Sequence, residues 1–253
     1  MSKSIDDIKK EFEQADRQTL LSLYEIYADD NRSGVVSLIS KYKKQEEKLE
    51  AEKRRMEDMY IYERKYADFQ YICGIDEVGR GPLAGPVVAG AVILPKNCDI
   101  LYLNDSKKLS EKMREILYDE IMEKAVATGI GIVGPNVIDE INILQATYEA
   151  MRIAISNLKV RPDLLLNDAV TIPEVNVRQV PIIKGDAKSA SIAAASIIAK
   201  VTRDRLMVQY DEVLPGYDFA SNKGYGSAKH LRALQEIGTT PIHRRSFIKK
   251  FLT

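Results

Sequence analysis

Apolar residues recur in two different rhythms along this chain, and the change falls near Gln70. Before it, Ile5, Ile8 and Phe12 stand three and four apart behind Ser4, which predicts a capped helix. Leu20, Leu21, Tyr24 and Tyr27 predict a second short helix, and residues 29–34 a polar break. From Val35 to about Tyr66 the apolar positions Val36, Ile39, Leu49, Met56, Met59 and Tyr60 again keep helical spacing among dense charges. No heptad persists long enough for a coiled coil. The expectation is a helical N-terminal extension over 1–68 and a second domain over 69–253.

Beyond Gln70 the runs become short, apolar and β-branched. Residues 71–78 and 87–94 read as antiparallel strands around a Gly/Pro turn, with 100–103 as a third short strand. Ser110 is placed to cap a helix running to about Ala127, and 129–133 is a strand. A helix over 142–158 and short strands at 163–167 and 177–183 follow. Next comes an alanine-dense helix over 188–210, then a helix over 227–237. Early strands followed by helix–strand alternation predict an α/β fold, a mixed sheet flanked by helices on both faces.

Composition narrows the class. A hydrophobic fraction of 45% and a charged fraction of 29% are ordinary for a globular protein. No apolar run approaches the ~20 residues that cross a bilayer. The start, MSKSIDDIKKEFEQ, lacks the apolar core of a signal peptide, so the expected location is cytoplasmic, with no membrane partner. Cys73 and Cys98 read as free thiols. The formal net charge is zero, but its distribution is uneven: residues 71–183 are net −4 and residues 184–253 net +6. A basic final quarter suits a polyanionic partner that the total would argue against.

The candidate chemistry lies in acids that end apolar strands. Asp76 and Glu77 close the first strand, Asp168 ends the run Leu164–Asn167, and Asp186 precedes the alanine-rich helix. Any one of them reads as a turn or cap residue; four suggest convergence. Two carboxylates ~4 Å apart repel by roughly 4 kcal/mol at an effective dielectric of 20. An oxygen-only set would therefore take a hard cation, Mg²⁺ or Mn²⁺. Adjacent strand residues face opposite sides, so Asp76 and Glu77 share a site only through a bulge or the onset of the turn at Gly79. That turn, Gly79–Pro86, has the spacing GxGxxxG and leads into a strand, which disfavours a dinucleotide or P-loop site. Its alternative use is close approach of backbone amides and Arg80 to a phosphate backbone. Lys107 in Asn104–Lys108, and Lys184 and Ser189 beside Asp186, are candidate substrate contacts that also read as loop and cap residues. Tyr225, between Gly224 and Gly226, is placed to stack on a sugar or base. His230 and His243 share no metal-ligand spacing, and His243-Arg244-Arg245 reads as phosphate contact or plain surface.

At these residues the chain resembles the type 2 ribonuclease H family, the ribonuclease HII of bacteria. The strings GIDEVGRGPLAGPVVAGAVIL, NDSKKLS, INILQATYEAM, KGDAKSASIAAASIIAKVTRD, NKGYGSAKH and TPIHRRSF occur in family order over about residues 70–247. The resemblance implies a ribonuclease H-like fold. It implies endonucleolytic cutting of RNA hybridised to DNA or embedded in it, with two divalent ions and 3′-hydroxyl and 5′-phosphate ends. It also implies metal ligation by Asp76, Glu77, Asp168 and Asp186. By the same resemblance Gly79, Arg80 and Gly81 read the ribose 2′-hydroxyl, and Tyr225 stacks near the RNA–DNA junction. Many members place glycine where this chain has Ala169 after Asp168. The expected state is a monomer, with a replication or repair protein as a possible partner, and residues 247–253 hint at a partner-binding tail. Three alternatives remain: a DNA-cutting nuclease of the same fold, a non-catalytic duplex binder, and, remotely, a nucleotide-cofactor enzyme.

Overall fold

Ser4 caps the first helix as its spacing predicts, its hydroxyl accepting from the Asp7 amide at 3.2 Å. The structure, a computed structural model, describes residues 3–252, and the chain divides into two compact units, Met1–Arg55 and Met56–Thr253. The first unit holds α1 (Ile5–Gln14), α2 (Arg17–Ile26), which Asp16 caps through the Thr19 amide, and most of α3 (Ser33–Met59). Its core is Ile8, Phe12, Leu23, Val35 and Leu38, with Phe12 ringed by Tyr24, Tyr27 and Tyr42 at centroid distances of 5.2–6.3 Å.

The second unit begins with the end of α3 and the short α4 (Ile61–Lys65) and carries the sheet. The elements in order are β1 (Ile72–Val78), β2 (Val87–Ile93), α5 (Glu111–Lys124), β3 (Ala127–Val133), α6 (Pro135–Ser156), β4 (Leu164–Asp168), β5 (Arg178–Ile182), α7 (Ala190–Val213), α8 (Phe219–Asn222), α9 (Ala228–Glu236) and α10 (Arg245–Ile248). Strand order is β3-β2-β1-β4-β5. β1–β2 and β2–β3 are antiparallel, while β1–β4 and β4–β5 are parallel. The sheet is therefore mixed, and β1, the strand that carries Asp76 and Glu77, lies at its centre.

Small residues let one helix seat on each face. A Cβ at Gly129 or Gly131 would overlap the Ala154 or Ala150 carbonyl of α6, and one at Gly74 or Gly90 would overlap the backbone of α7 at Ser191 or Ala195. On the α6 side, Cys73, Ile75, Ala89 and Ala91 pack with Ala150, Met151 and Ala154. On the α7 side, Val92 packs with Ala193, Ala194, Ala195 and Ile198.

Two expectations change. Residues 100–103 form no strand: Ile100 and Leu103 are buried, but Tyr102 has φ +65°, which extended pairing excludes. The helix expected from Asn142 starts earlier, at Pro135. Asn142 (φ 68°, ψ 165°) interrupts it and caps the longer part, its Oδ1 accepting from the Leu144 and Gln145 amides at 3.0 and 3.2 Å. Cys73 and Cys98 are free. Among the described residues no helix is long and apolar enough to cross a membrane. The tail is packed rather than loose: Ile248 is buried, and Phe247 and Phe251 pack against the cluster holding Phe219 and Leu234.

Candidate active site

Asp76 is buried on the α7 face of β1, 5% exposed. Burial pushes its carboxyl far above the usual range, the charges of Glu77 and Asp168 push it further, and the Ser196 hydroxyl opposes them. Glu77 is raised by burial, then held back by Arg80, whose Nη1 lies 3.2 Å from Glu77 Oε1; Asp168 raises it and Lys107 lowers it. Asp186 is raised by burial and by the charges of Asp105 and Asp168. Burial opposes the Lys107 ammonium, but Asp76, Asp105, Asp186 and Asp168 outweigh it and hold Lys107 above the ordinary lysine range. Asp76, Glu77 and Asp186 thus each lie in the field of Asp168, with Lys107 among the four predicted acids. Asp105 joins them. It stood in the polar string Asn104–Lys108, where it read as a loop residue.

These acids are neighbours without being closed into a cage. Among the described residues no three carboxylate, imidazole or thiol groups converge as a ready cation site. The register explains part of this. The β1–β2 ladder runs unbroken from Cys73↔Ile93 to Val78↔Val88, with Asp76 opposite Gly90 and Glu77 opposite Ala89. Of the two routes by which Asp76 and Glu77 could share a site, the bulge is therefore absent and the onset of the Gly79 turn remains. Asp168 meanwhile accepts the Gly185 amide at 2.7 Å, which ties the end of β4 to the turn that carries Asp186.

Two buried arginines build the glycine turn. Arg203 of α7 donates to the carbonyls of Pro86 (2.9 Å), Lys223 (2.8 Å) and Ala84 (3.1 Å). Arg244 donates to the carbonyls of Gly85 (3.0 Å), Arg80 (2.8 Å) and Gly79 (2.5 Å). Both are 0% exposed, and neither makes a salt bridge to a carboxylate among the described residues. Burial, and then Arg203, pull Arg244 down to about 9, so it stays charged at neutral pH. The planar fork suits three converging carbonyls where an ammonium would not. Gly79, at φ +90°, faces Arg203 so closely that no side chain fits. Arg244 is thus neither phosphate contact nor surface, and the buried role of both arginines has no signal in the sequence, where an arginine in a helix or tail looks solvated.

The remaining predicted residues divide. Arg80 is half-exposed beside Glu77. Tyr225 is 48% exposed, and its Cε1 would sit 3.7 Å from a Cβ on Gly81, so ring and turn adjoin. Lys184 is exposed with left-handed backbone (φ 58°), one residue before Gly185. Ser189 is a correction. It is fully buried, caps α7 through the Ile192 amide and donates to Glu63 Oε1 at 2.6 Å, so its hydroxyl is engaged inside the protein rather than offered to substrate.

The family model described as ribonuclease HII matches residues 73–250, and that of the ribonuclease HII N-terminal domain matches residues 4–67. The ribonuclease HII of Lachnoclostridium phytofermentans is 65% identical over 249 residues, 98% of each chain. That of Clostridioides difficile is 50% identical over 252 residues, 99% of each. Among solved structures, the ribonuclease H2 of Pyrococcus horikoshii OT3 superposes with a TM-score of 0.62 at 28% identity, over 72% of this chain and 97% of that one. A chain of the PCNA:RNase HII complex from Archaeoglobus fulgidus superposes with a TM-score of 0.58 at 30% identity, over 72% and 95%. Bst-RNase HIII in complex with Mn²⁺ shares the fold, with a TM-score of 0.52 at 20% identity over 72% and 69%.

Proposed function

The chain belongs to the ribonuclease HII family and is a ribonuclease hydrolase acting on RNA/DNA hybrids; from that premise we propose that it also cuts at single ribonucleotides in duplex DNA, leaving 3′-hydroxyl and 5′-phosphate ends. The observation that carries this reading is the group of buried carboxylates, Asp76 and Asp186 among them, next to a glycine turn with the Tyr225 ring beside Gly81.

The acids fit divalent ions. Their donors are oxygens only, and burial, with neighbouring carboxylate charge, disfavours the ionised form of Asp76, Glu77 and Asp186, which a cation would offset. Asp76, Glu77, Asp168 and Asp186 are the residues that would hold Mg²⁺ or Mn²⁺. When bound, a pair of such ions supplies positive charge to the attacking and leaving oxygens of a phosphodiester. This chain's own residues do the rest. Arg80 offers a bidentate donor to a backbone phosphate, while its carbonyl is turned away to Arg244. The Gly79 and Arg80 carbonyls point to the buried guanidinium, which leaves the amide edges of the turn for a ribose 2′-hydroxyl, the group that tells RNA from DNA. Tyr225 supplies an aromatic face beside Gly81. Lys107 and Lys184 are cations for neighbouring phosphates. Because PCNA is bound in the archaeal complex, a replication clamp is the partner class we infer for this chain as well.

The test is Asp168→Asn. It abolishes divalent-dependent cleavage while circular dichroism and gel filtration stay as wild type. Retained full activity would remove Asp168 from the site.

A further inference from the structure

His230 and His243 have no common spacing in the sequence, yet the fold brings their Nε2 atoms to 2.9 Å. The pair is buried against the rings of Tyr217 and Phe219, at centroid distances of 5.1–6.1 Å. Its hydrogen bonds fix the protons. The Thr240 amide lies 2.9 Å from His243 Nδ1, and an amide N–H can only donate, so that nitrogen carries no proton. Neutral His243 is then protonated at Nε2 and donates to His230 Nε2. His230 must carry its own proton on Nδ1, where it donates to the Tyr225 carbonyl at 2.9 Å. An extra proton on either ring would set N–H against N–H, at Thr240 or between the two rings. The chain Thr240 → His243 → His230 → Tyr225 therefore has one direction and two neutral imidazoles.

Each end is fastened to a different half of the recognition surface. The segment carrying His243 is bonded to the glycine turn: the Gly85 amide donates to the Ile242 carbonyl at 2.8 Å, and the Arg244 amide to the Leu83 carbonyl at 2.9 Å. At the other end Tyr225 follows Gly224, whose carbonyl accepts from the Leu83 and Ala84 amides at 2.8 and 3.3 Å. The Tyr225 amide donates to the Asn222 carbonyl at 2.9 Å, and its carbonyl accepts from the Ser227 amide at 2.8 Å as well as from His230. The phenol ring is half-exposed next to Gly81. The Tyr225 carbonyl is thus held by the Ser227 amide and by the His230 ring, and His230 is the side chain bonded to it.

We propose that the His243–His230 pair positions Tyr225 against the Gly79–Gly81 turn, so that two histidines that touch no substrate govern how well the ribose is gripped. This rests on the reading of Tyr225 as a substrate contact.

A double-mutant cycle on kcat/KM, with a duplex containing one ribonucleotide, tests it. His230→Leu lowers kcat/KM at least about tenfold, chiefly through KM, when Tyr225 is present, and less than about twofold in a Tyr225→Ala background, because residues that act through one another are not additive. His230→Asn, whose side-chain N–H can meet the same carbonyl, recovers most of the loss. Equal losses in both backgrounds, or no loss from His230→Leu while Tyr225→Ala is impaired, overturns the positioning role and leaves Tyr225 as a contact. An unimpaired Tyr225→Ala instead overturns the reading of Tyr225, and the role of the pair with it. If His230→Leu does not fold, His243→Gln is carried through the same cycle with the same criteria.

Discussion

At the scale of single residues, Asp76 is where folding and function conflict most. An acid placed mid-sheet, 5% exposed, beside Glu77 and Asp168, is held above its usual range. A carboxyl whose folded pKa is raised adds stability below its unfolded pKa, and that contribution is lost as pH rises through the folded value. At pH 7–8 without divalent ions, Asp76, Glu77 and Asp186 therefore weaken the fold. Asp76→Asn should raise the metal-free midpoint of thermal unfolding at pH 7.5, by roughly 1–3 kcal/mol or a few degrees, while abolishing cleavage; calorimetry in chelator checks it. The histidine pair behaves oppositely. Burial, and for His243 also His230, lowers both, His243 to about 4. Their contribution is complete above the ordinary histidine value of about 6.5 and declines as pH falls below it, for His243 down to about 4, by at most about 1.4 kcal/mol per pH unit for each ring. Urea midpoints between pH 7 and 4.5, with His243→Gln as comparison, measure it. The acids were legible in the sequence because charge inside an apolar strand is costly and has to be explained. Arg203 and Arg244 were not, because nothing in a sequence says which carbonyls a guanidinium will meet.

At the scale of elements, the site depends on how closely α7 seats on β1. Gly74 and Gly90 have no side chains because the α7 backbone takes their place. The first turn of α7 is fixed by Glu63 of α4, which accepts from Ser189 Oγ, from the Ser191 amide at 3.0 Å and from Ser191 Oγ. A carboxylate there satisfies free N–H groups and meets the positive end of the helix dipole. Gly74→Ala should cost more than about 3 kcal/mol, because the new methyl would have to displace backbone rather than a flexible side chain. Glu63→Gln should cost only about 1–2 kcal/mol. Chemical denaturation separates the two, and equal costs would contradict this account of seating. The alternation of helix and strand was readable from periodicity, and so were the caps Ser4 and Ser110, which accept from a helix amide as placed; Ser189 and Ser227, read as lying within their helices, are caps too. The strand expected at 100–103 was not readable as an error, since Ile100, Leu101 and Leu103 carry a strand-like composition and only the left-handed Tyr102 prevents pairing.

At the scale of the whole molecule, a neutral total charge conceals an acidic sheet end and a basic final quarter. Two of those late cations, Arg203 and Arg244, are used inside the protein, so the surface share is smaller than the sequence count implies. Binding of Asp168→Asn to an RNA/DNA duplex should still fall steeply with salt, with a log–log slope on the order of −3 to −5 at ~0.9 per phosphate contacted. A slope near zero would argue against backbone contact. The measurement that bears most directly on the central claim uses a DNA duplex with one internal ribonucleotide. It is incubated with the protein in Mg²⁺, in Mn²⁺ and in chelator, and the ends are mapped. The account predicts a single divalent-dependent cut at the ribonucleotide, with 3′-hydroxyl and 5′-phosphate ends, absent from an all-DNA duplex. Cleavage that persists in chelator, or that treats both duplexes alike, would contradict it.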